Sequence, residues 1–131
     1  MEGMMNINKL SSRIIGAAIE VHKNLGPGLL ESAYEDCLCH ELNIQGLIFE
    51  QQKPLPVIYK GMRLDCGYRL DIVVEKTVII ELKSCEKIEP IHKAQLLTYL
   101  KLSELNLGLI LNFNVPLMRD GIVRIVNELS E

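Results

Sequence analysis

The sequence predicts a single α/β domain in which a mixed β-sheet is flanked by helices on both faces. Two helical segments open the chain, β-rich segments follow, and a third helical segment separates these from the last two strands. This mixture of elements is typical of a sheet covered by helices. A chain of 131 residues can bury one core. Because no linker, repeat or low-complexity tract interrupts it, we predict one domain over residues 1–131.

The helices are predicted from apolar residues at helical spacing. The first runs from Ile7 to Leu25 and ends at Gly26-Pro27-Gly28. The second begins near Leu29, carries its apolar residues along one face and ends by Gly46. The same periodicity predicts the third helix over Ile88 to Leu102.

The remaining β-rich segments are predicted to be strands. Ile48 to Tyr59 is extended, and its two prolines restrict it to a sheet edge or an irregular start. Lys60-Gly61 is a candidate tight turn. Leu107 to Phe113 is predicted to be a buried strand, and the last strand covers Ile122 to Val126.

Residues 67–74 and 78–83 are predicted to form a hairpin. A three-residue loop at 75–77 gives one face that is wholly apolar, because it pairs Leu70 with Leu82, Ile72 with Ile80 and Val74 with Val78. A two-residue loop would mix charges into both faces, so the hydrophobic pattern selects the three-residue loop. The other face then places Asp71 beside Glu81.

Two interpretations of these adjacent carboxylates are open. Like charges destabilise a sheet unless something offsets them. Arg69 and Lys83 are one step away on the same face and would form a surface salt-bridge ladder with Asp71 and Glu81. Alternatively the pair binds a divalent cation such as Mg²⁺, which takes carboxylate, water and phosphate oxygens. The hairpin alone favours neither interpretation.

The cysteine and histidine spacings do not indicate a zinc site, because the chain has no CxxC pair and no HExxH motif. The start of the chain lacks the features of a secretory signal, and no apolar stretch approaches the ~20 residues that span a bilayer. We therefore expect a cytoplasmic protein with no membrane partner. Its cysteines are interpreted as reduced, small apolar residues, namely Cys37, Cys39, Cys66 and Cys85.

The charge distribution is compatible with a nucleic-acid substrate, although the formal net charge is only −3. Between Lys53 and Lys101 there are nine basic and six acidic residues, which gives this segment +3 and leaves −6 elsewhere. A solvated, mixed-charge surface explains the distribution nearly as well.

Three motifs resemble those of a known superfamily. Asp71, nine intervening residues and Glu81-Leu82-Lys83 resemble the D…ExK signature of the PD-(D/E)XK nucleases. Residues 28–34, GLLESAY, resemble the GxxExxY motif that names one family there, and residues 95–99, QLLTY, resemble its QxxxY motif. The motifs occur in the family's order and cover nearly the whole chain. The proline that precedes the superfamily's aspartate is replaced here by Leu70.

The resemblance implies a restriction-endonuclease-like core and a Mg²⁺-dependent nuclease, with Mn²⁺ as an alternative ion. The metal ligands that it implies are Glu31, Asp71, Glu81 and the Leu82 carbonyl. The catalytic residues that it implies are Lys83, Glu81, Asp71, Gln95 and Tyr99. We expect the three metal-binding carboxylates to lie close enough to share one ion, with Lys83 in the same pocket.

Taken singly, several of these residues have ordinary structural interpretations. Glu31 would be an exposed helix residue, Gln95 a capping or surface amide, and Tyr34 and Tyr99 packing residues. His92, one turn before Gln95, is interpreted as a surface or packing residue, with a place next to the site as the alternative.

Three functions follow as hypotheses. The first is a nuclease that hydrolyses phosphodiester bonds of nucleic acid, with DNA expected rather than RNA. The second is a non-catalytic member of the same fold that binds nucleic acid or a protein. The third is a hydrolase of small phosphate esters. Because one small domain offers little surface for gripping a duplex, we also expect a homodimer, formed through the first helix or the edge strand near Pro54.

Overall fold

The structure is a computed structural model that describes residues 6–128. Residues 1–5 and 129–131, the two ends of the predicted domain, lie outside the described residues. The elements are α1 (Ile7–Leu25), α2 (Glu31–Ile44), β1 (Phe49–Pro54), β2 (Val57–Tyr59), β3 (Met62–Leu64), β4 (Arg69–Val74), β5 (Val78–Lys83), α3 (Pro90–Ser103), β6 (Leu107–Asn112) and β7 (Ile122–Val126). A single 3₁₀ turn, Met118–Gly121, precedes β7.

Five strands form one mixed sheet in the order β1-β4-β5-β6-β7. Strands β5 and β6 pair in parallel, and the other neighbouring strands pair antiparallel. Parallel strands need a crossover, and α3 supplies it between β5 and β6. Helices α1 and α2 cover one face of the sheet and α3 covers the other. The predicted α/β fold, a mixed sheet flanked by helices on both faces, is confirmed.

The two faces of the sheet have separate cores. Side chains of α1 and α2 bury Ile72, Ile80 and Leu109 on one face, and α3 buries Val73, Ile79 and Ile110 on the other. The α3 helix lies very close to the sheet at Gly108, where an added Cβ would be 2.8 Å from the Leu96 side chain. Glycine at this position therefore sets how closely α3, which carries two of the predicted catalytic residues, approaches the sheet.

Two helices begin later than predicted. Helix α2 begins at Glu31 rather than near Leu29. Helix α3 begins at Pro90 rather than Ile88, because Glu89 caps it in an extended conformation and proline fits the first helical position.

The extended segment predicted over residues 48–59 is two strands rather than one. Strand β1 belongs to the main sheet, whereas β2 pairs with β3 in a separate two-stranded sheet. Strand β3 was not predicted. The predicted turn at Lys60-Gly61 is confirmed, because both residues have positive φ (50° and 79°) and join Tyr59 to Met62 in a two-residue hairpin loop.

The three-residue loop of the β4–β5 hairpin is confirmed, because Val74 pairs with Val78 and Ile72 with Ile80. The prediction for Leu70 was wrong. Leu70 packs in the core beneath α3 together with Val73, not on the face of Ile72. Strand alternation is therefore broken between Leu70 and Val73, around Asp71.

All four cysteines are free, as predicted. Cys39 is buried, but Cys66 is exposed, so the interpretation of the cysteines as small apolar residues was wrong for Cys66. Of the helices within residues 6–128, none combines the length and hydropathy needed to cross a bilayer.

Candidate active site

Asp71 and Glu81 lie together at one end of the sheet and bond to each other's strand. Asp71 is near the start of β4, and Glu81 is near the end of the antiparallel β5. The Asp71 N–H donates to a Glu81 carboxylate oxygen at 3.2 Å, and the Leu82 N–H donates to an Asp71 carboxylate oxygen at 2.9 Å. Side-chain oxygens thus accept from backbone N–H groups of the facing strand, which explains why strand alternation breaks at Asp71.

Glu31 reaches the same end of the sheet from the first turn of α2. Its carboxylate accepts from the Ser84 N–H at 3.3 Å, directly after β5. The Ser84 hydroxyl in turn donates to the Leu29 carbonyl at 2.6 Å. The start of α2 is therefore fixed to the end of the strand that carries Glu81 and Lys83.

Glu35 is a fourth carboxylate at this site, and the sequence analysis missed it. Its side chain is buried and accepts from the amides of Gln51 at 2.8 Å and Gln52 at 2.9 Å. The Gln52 amide also lies 3.4 Å from an Asp71 oxygen, so it bridges Glu35 and Asp71. Glu35 follows Glu31 by four residues and therefore shares its side of α2, a spacing that could have identified it.

Burial and the charges of neighbouring carboxylates raise the pKa values of the two central acids. Burial, followed by the charge of Asp71, raises the pKa of Glu81 to about 8. Burial is also the first cause of the raised pKa of Asp71, and the charges of Glu35 and Glu31 add to it. Clustered carboxylates with raised pKa values are a feature of functional sites.

The salt-bridge ladder predicted as one alternative does not form. Within residues 6–128 the ion pairs are Lys53–Glu50 and Arg63–Asp65, and neither includes Asp71 or Glu81. The Arg69 guanidinium instead lies 3.5 Å from the Gln52 carbonyl. Lys83 is half-buried at the end of β5, and its charge lowers the pKa of Glu81 without a short ion pair.

Tyr99 and Gln95 are placed differently from each other. Tyr99 is largely buried in the core between α3 and the sheet. Burial raises the pKa of Tyr99, and the charge of Glu81 is the next cause, which puts its hydroxyl in the field of the site. Gln95 is exposed one turn earlier on α3, and among residues 6–128 no hydrogen bond links it to the carboxylates.

Three other residues have structural contacts. The Tyr34 ring is fully buried and stacks on Phe113 at 4.5 Å, and its hydroxyl donates to the Gly26 carbonyl at 2.5 Å. His92 accepts from the Glu89 N–H at 2.9 Å and so caps α3 rather than approaching the site. The Leu82 side chain is buried in the core beneath α1 and α2.

The residues of the site fit a hard divalent cation by their chemistry. They offer carboxylate oxygens, and those of Asp71 and Glu81 have no short ion pair in the described part of the chain. No three His, Cys, Asp or Glu side chains of residues 6–128 are grouped closely enough to hold an ion, so the predicted sharing of one ion is not seen there. The Glu31 carboxylate, for example, bonds to the Ser84 N–H.

The comparisons with known proteins identify the family. A family model described as the PD-(D/E)XK nuclease superfamily matches residues 8–125, which include every motif residue discussed above. No curated protein and no solved structure matches the chain. The match includes the helices on both faces of the sheet and the hairpin that carries Asp71 and Glu81. The chain therefore belongs to the PD-(D/E)XK nuclease superfamily.

Proposed function

We propose that this protein is a Mg²⁺-dependent nuclease of the GxxExxY type that hydrolyses phosphodiester bonds of DNA. The observation that carries the proposal is the pair formed by Asp71 and Glu81, two acids with raised pKa values that have no short ion pair with any residue from 6 to 128. Buried acids with a structural role normally pair with a basic side chain. Acids that bind a metal ion are left without such a partner, because the ion supplies the positive charge. Membership of a nuclease superfamily supports nucleic acid as the substrate class.

Glu31, Asp71, Glu81 and the Leu82 carbonyl would hold the ion. When bound, Mg²⁺ would act as a Lewis acid toward a phosphoryl oxygen and the attacking water. Glu81 must release its proton before it can serve as a ligand, since burial raises its pKa to about 8. Glu35 acts through Gln52, whose amide contacts both Glu35 and Asp71 and would keep the Asp71 carboxylate oriented.

Lys83 would supply the positive charge next to the scissile phosphate. Its ammonium is one residue beyond Leu82 on β5 and makes no short ion pair among residues 6–128, so it is available to an anionic substrate. Charge that develops on the phosphate oxygens during hydrolysis would be stabilised by it. Tyr99 and Gln95 are proposed to position the phosphate from α3, Tyr99 from beside Glu81 and Gln95 from the exposed helix surface.

A cleavage assay tests the proposal. Purified protein is incubated with labelled single-stranded DNA, double-stranded DNA and RNA, in Mg²⁺, in Mn²⁺ and in a chelator. We expect cleavage of a DNA substrate that requires the divalent ion. Binding of nucleic acid without cleavage under every metal condition would instead support the non-catalytic alternative.

Mg²⁺ is also expected to stabilise the fold measurably, independently of activity. At about ten times its dissociation constant, the ion should add about 1.4 kcal/mol to the free energy of unfolding, a rise of a few degrees in Tm. Asp71→Asn should lose most of this gain. Without metal, Asp71→Asn should melt at or above the wild-type Tm, because it removes one of several clustered like charges.

Thermal melts of both proteins in Mg²⁺ and in a chelator measure this effect. Glu86→Gln is a matched control, since Glu86 is an exposed acid just after β5. A lower Tm for Asp71→Asn in chelator, with both proteins indifferent to Mg²⁺, would make Asp71 a structural residue and remove the metal from the mechanism.

A further inference from the structure

The hairpin of β2 and β3, residues 57–64, carries an exposed apolar face. Its antiparallel register places Val57 opposite Leu64 and Tyr59 opposite Met62, so all four side chains share one face. Tyr59 is 59% exposed and Met62 is 60% exposed. A two-stranded ribbon outside the main sheet is marginally stable by itself, and clustered apolar side chains in water mark interaction sites.

The same hairpin is basic. Lys60 lies in its turn, with the ammonium 5.4 Å from the Tyr59 ring centre. Arg63 projects from the opposite face and pairs with Asp65 at 3.7 Å. No acidic residue occurs between positions 57 and 64. From 57 to 69 the charged residues are Lys60, Arg63, Arg69 and Asp65, a balance of +2 in a chain whose formal charge is −3. This charge complements a polyanion and does not complement a second copy of the same basic hairpin.

The hairpin is continuous with the candidate active site. The Leu55 N–H donates to the Tyr68 carbonyl at 2.9 Å and closes its base. Tyr68 precedes Asp71 by three residues, so the base lies within about 11 Å of Asp71 along the chain. The half-exposed Tyr68 ring is 6.2 Å from the ring of Tyr99, whose pKa is raised by burial and by the charge of Glu81. The base of the hairpin is therefore close to the carboxylates.

We propose, on the basis of the nuclease function proposed above, that this hairpin binds a single-stranded segment of the nucleic-acid substrate. A base stacks on the exposed Tyr59 ring, and the phosphate next to it contacts Lys60, whose ammonium is on the same side of the hairpin as that ring. Aromatic stacking combined with basic side chains is how proteins bind single strands without reading their sequence. Phosphate contacts make such binding dependent on salt. The substrate class is thus single-stranded nucleic acid or a duplex with an unpaired segment.

Binding is tested by fluorescence anisotropy with a labelled single-stranded DNA of about 20 nucleotides, which covers at least one such site. The titrations are run in EDTA and again in Ca²⁺, with the oligonucleotide checked for integrity. Tyr59→Ala should weaken binding about tenfold, whereas Tyr59→Phe should keep it, because the ring still stacks. Lys60→Ala should lower the slope of log affinity against log salt by about 0.7, the value for one phosphate contact on a single strand.

Ile44→Ala is the matched control, since Ile44 is 66% exposed in the last turn of α2 and should bind like wild type. Single-strand binding that is equal in Tyr59→Ala and wild type would overturn the hairpin assignment while leaving the nuclease proposal to its cleavage assay. A wild-type dimer in light scattering that Tyr59→Ala converts to a monomer, without oligonucleotide binding, would make this face a contact between copies and also overturn it. Tm values of all variants verify that each is folded.

Discussion

Replacing Lys83 with alanine is expected to lower the rate of DNA cleavage by roughly 100- to 1000-fold, the usual cost of removing one preorganised group that stabilises transition-state charge. Lys83 follows Leu82, whose N–H bonds to Asp71, and its charge already acts on Glu81. It therefore lies beside the predicted position of the scissile phosphate. The Tm should change little, since Lys83 forms no short ion pair within residues 6–128.

Single-turnover cleavage rates in Mg²⁺ measure the effect. The control is Lys76→Ala, because Lys76 is an exposed lysine in the loop at the other end of the same hairpin. Its cleavage rate should stay within about twofold of wild type, since exposed charges away from the chemistry contribute little. If Lys83→Ala cleaved as fast as Lys76→Ala, the cation required by the mechanism would be another residue, or the activity would belong to a contaminating nuclease.

The part of the site that could be predicted from sequence depends on hydrophobic patterning. Only a three-residue loop places Ile72, Val74, Val78 and Ile80 on one face, and that register brings Asp71 next to Glu81. The structure has this register because both sheet faces are buried, so a slip of one residue would move apolar side chains out of their core. Sequence periodicity therefore predicted which strand ends meet at the carboxylates, whereas the break in alternation around Asp71 was not predicted.

Other features depend on interactions that the spacing of apolar residues along strands and helices does not indicate. Leu70 departs from its predicted face because the Asp71 N–H bonds to a side chain. An alternating pattern of apolar residues does not indicate which partner a backbone N–H takes. The helical spacing from Glu31 indicated the side of α2 on which Glu35 lies, but not its contacts with Gln51 and Gln52, which lie on a strand that packs beside α2 only in the folded chain. Residues 62–64 are exposed, so no burial pattern predicted β3.

The second large effect concerns the pH dependence of stability without metal. The ordinary pKa of a glutamate is 4.5, and burial with the neighbouring charge of Asp71 raises that of Glu81 to about 8. Between these values the folded protein keeps a proton that the unfolded chain has released. Stability rises with pH only where the unfolded state binds more protons, so here the free energy of unfolding must fall as pH rises from about 4.5 to about 8.

Glu81→Gln is expected to remove this fall in the free energy of unfolding at high pH. The amide is neutral at every pH, is close in size to the carboxyl group, and its oxygen can still accept from the Asp71 N–H. Each pKa unit corresponds to 1.36 kcal/mol, so at pH 9 in chelator the variant should exceed wild type by about 3 to 5 kcal/mol. For a domain of this size that is a rise in Tm of about 10 °C or more.

Thermal melts from pH 5 to 9 in chelator measure the difference, with Glu86→Gln as control because Glu86 is exposed just after β5 and should follow wild type. Saturating Mg²⁺ should narrow the gap between wild type and Glu81→Gln at pH 9, since the ion stabilises the ionised carboxylates that the variant lacks. Parallel pH profiles for the two proteins in chelator would show that Glu81 ionises at no cost to the fold. Glu81 would then not be the buried, uncompensated acid on which the proposed metal site depends.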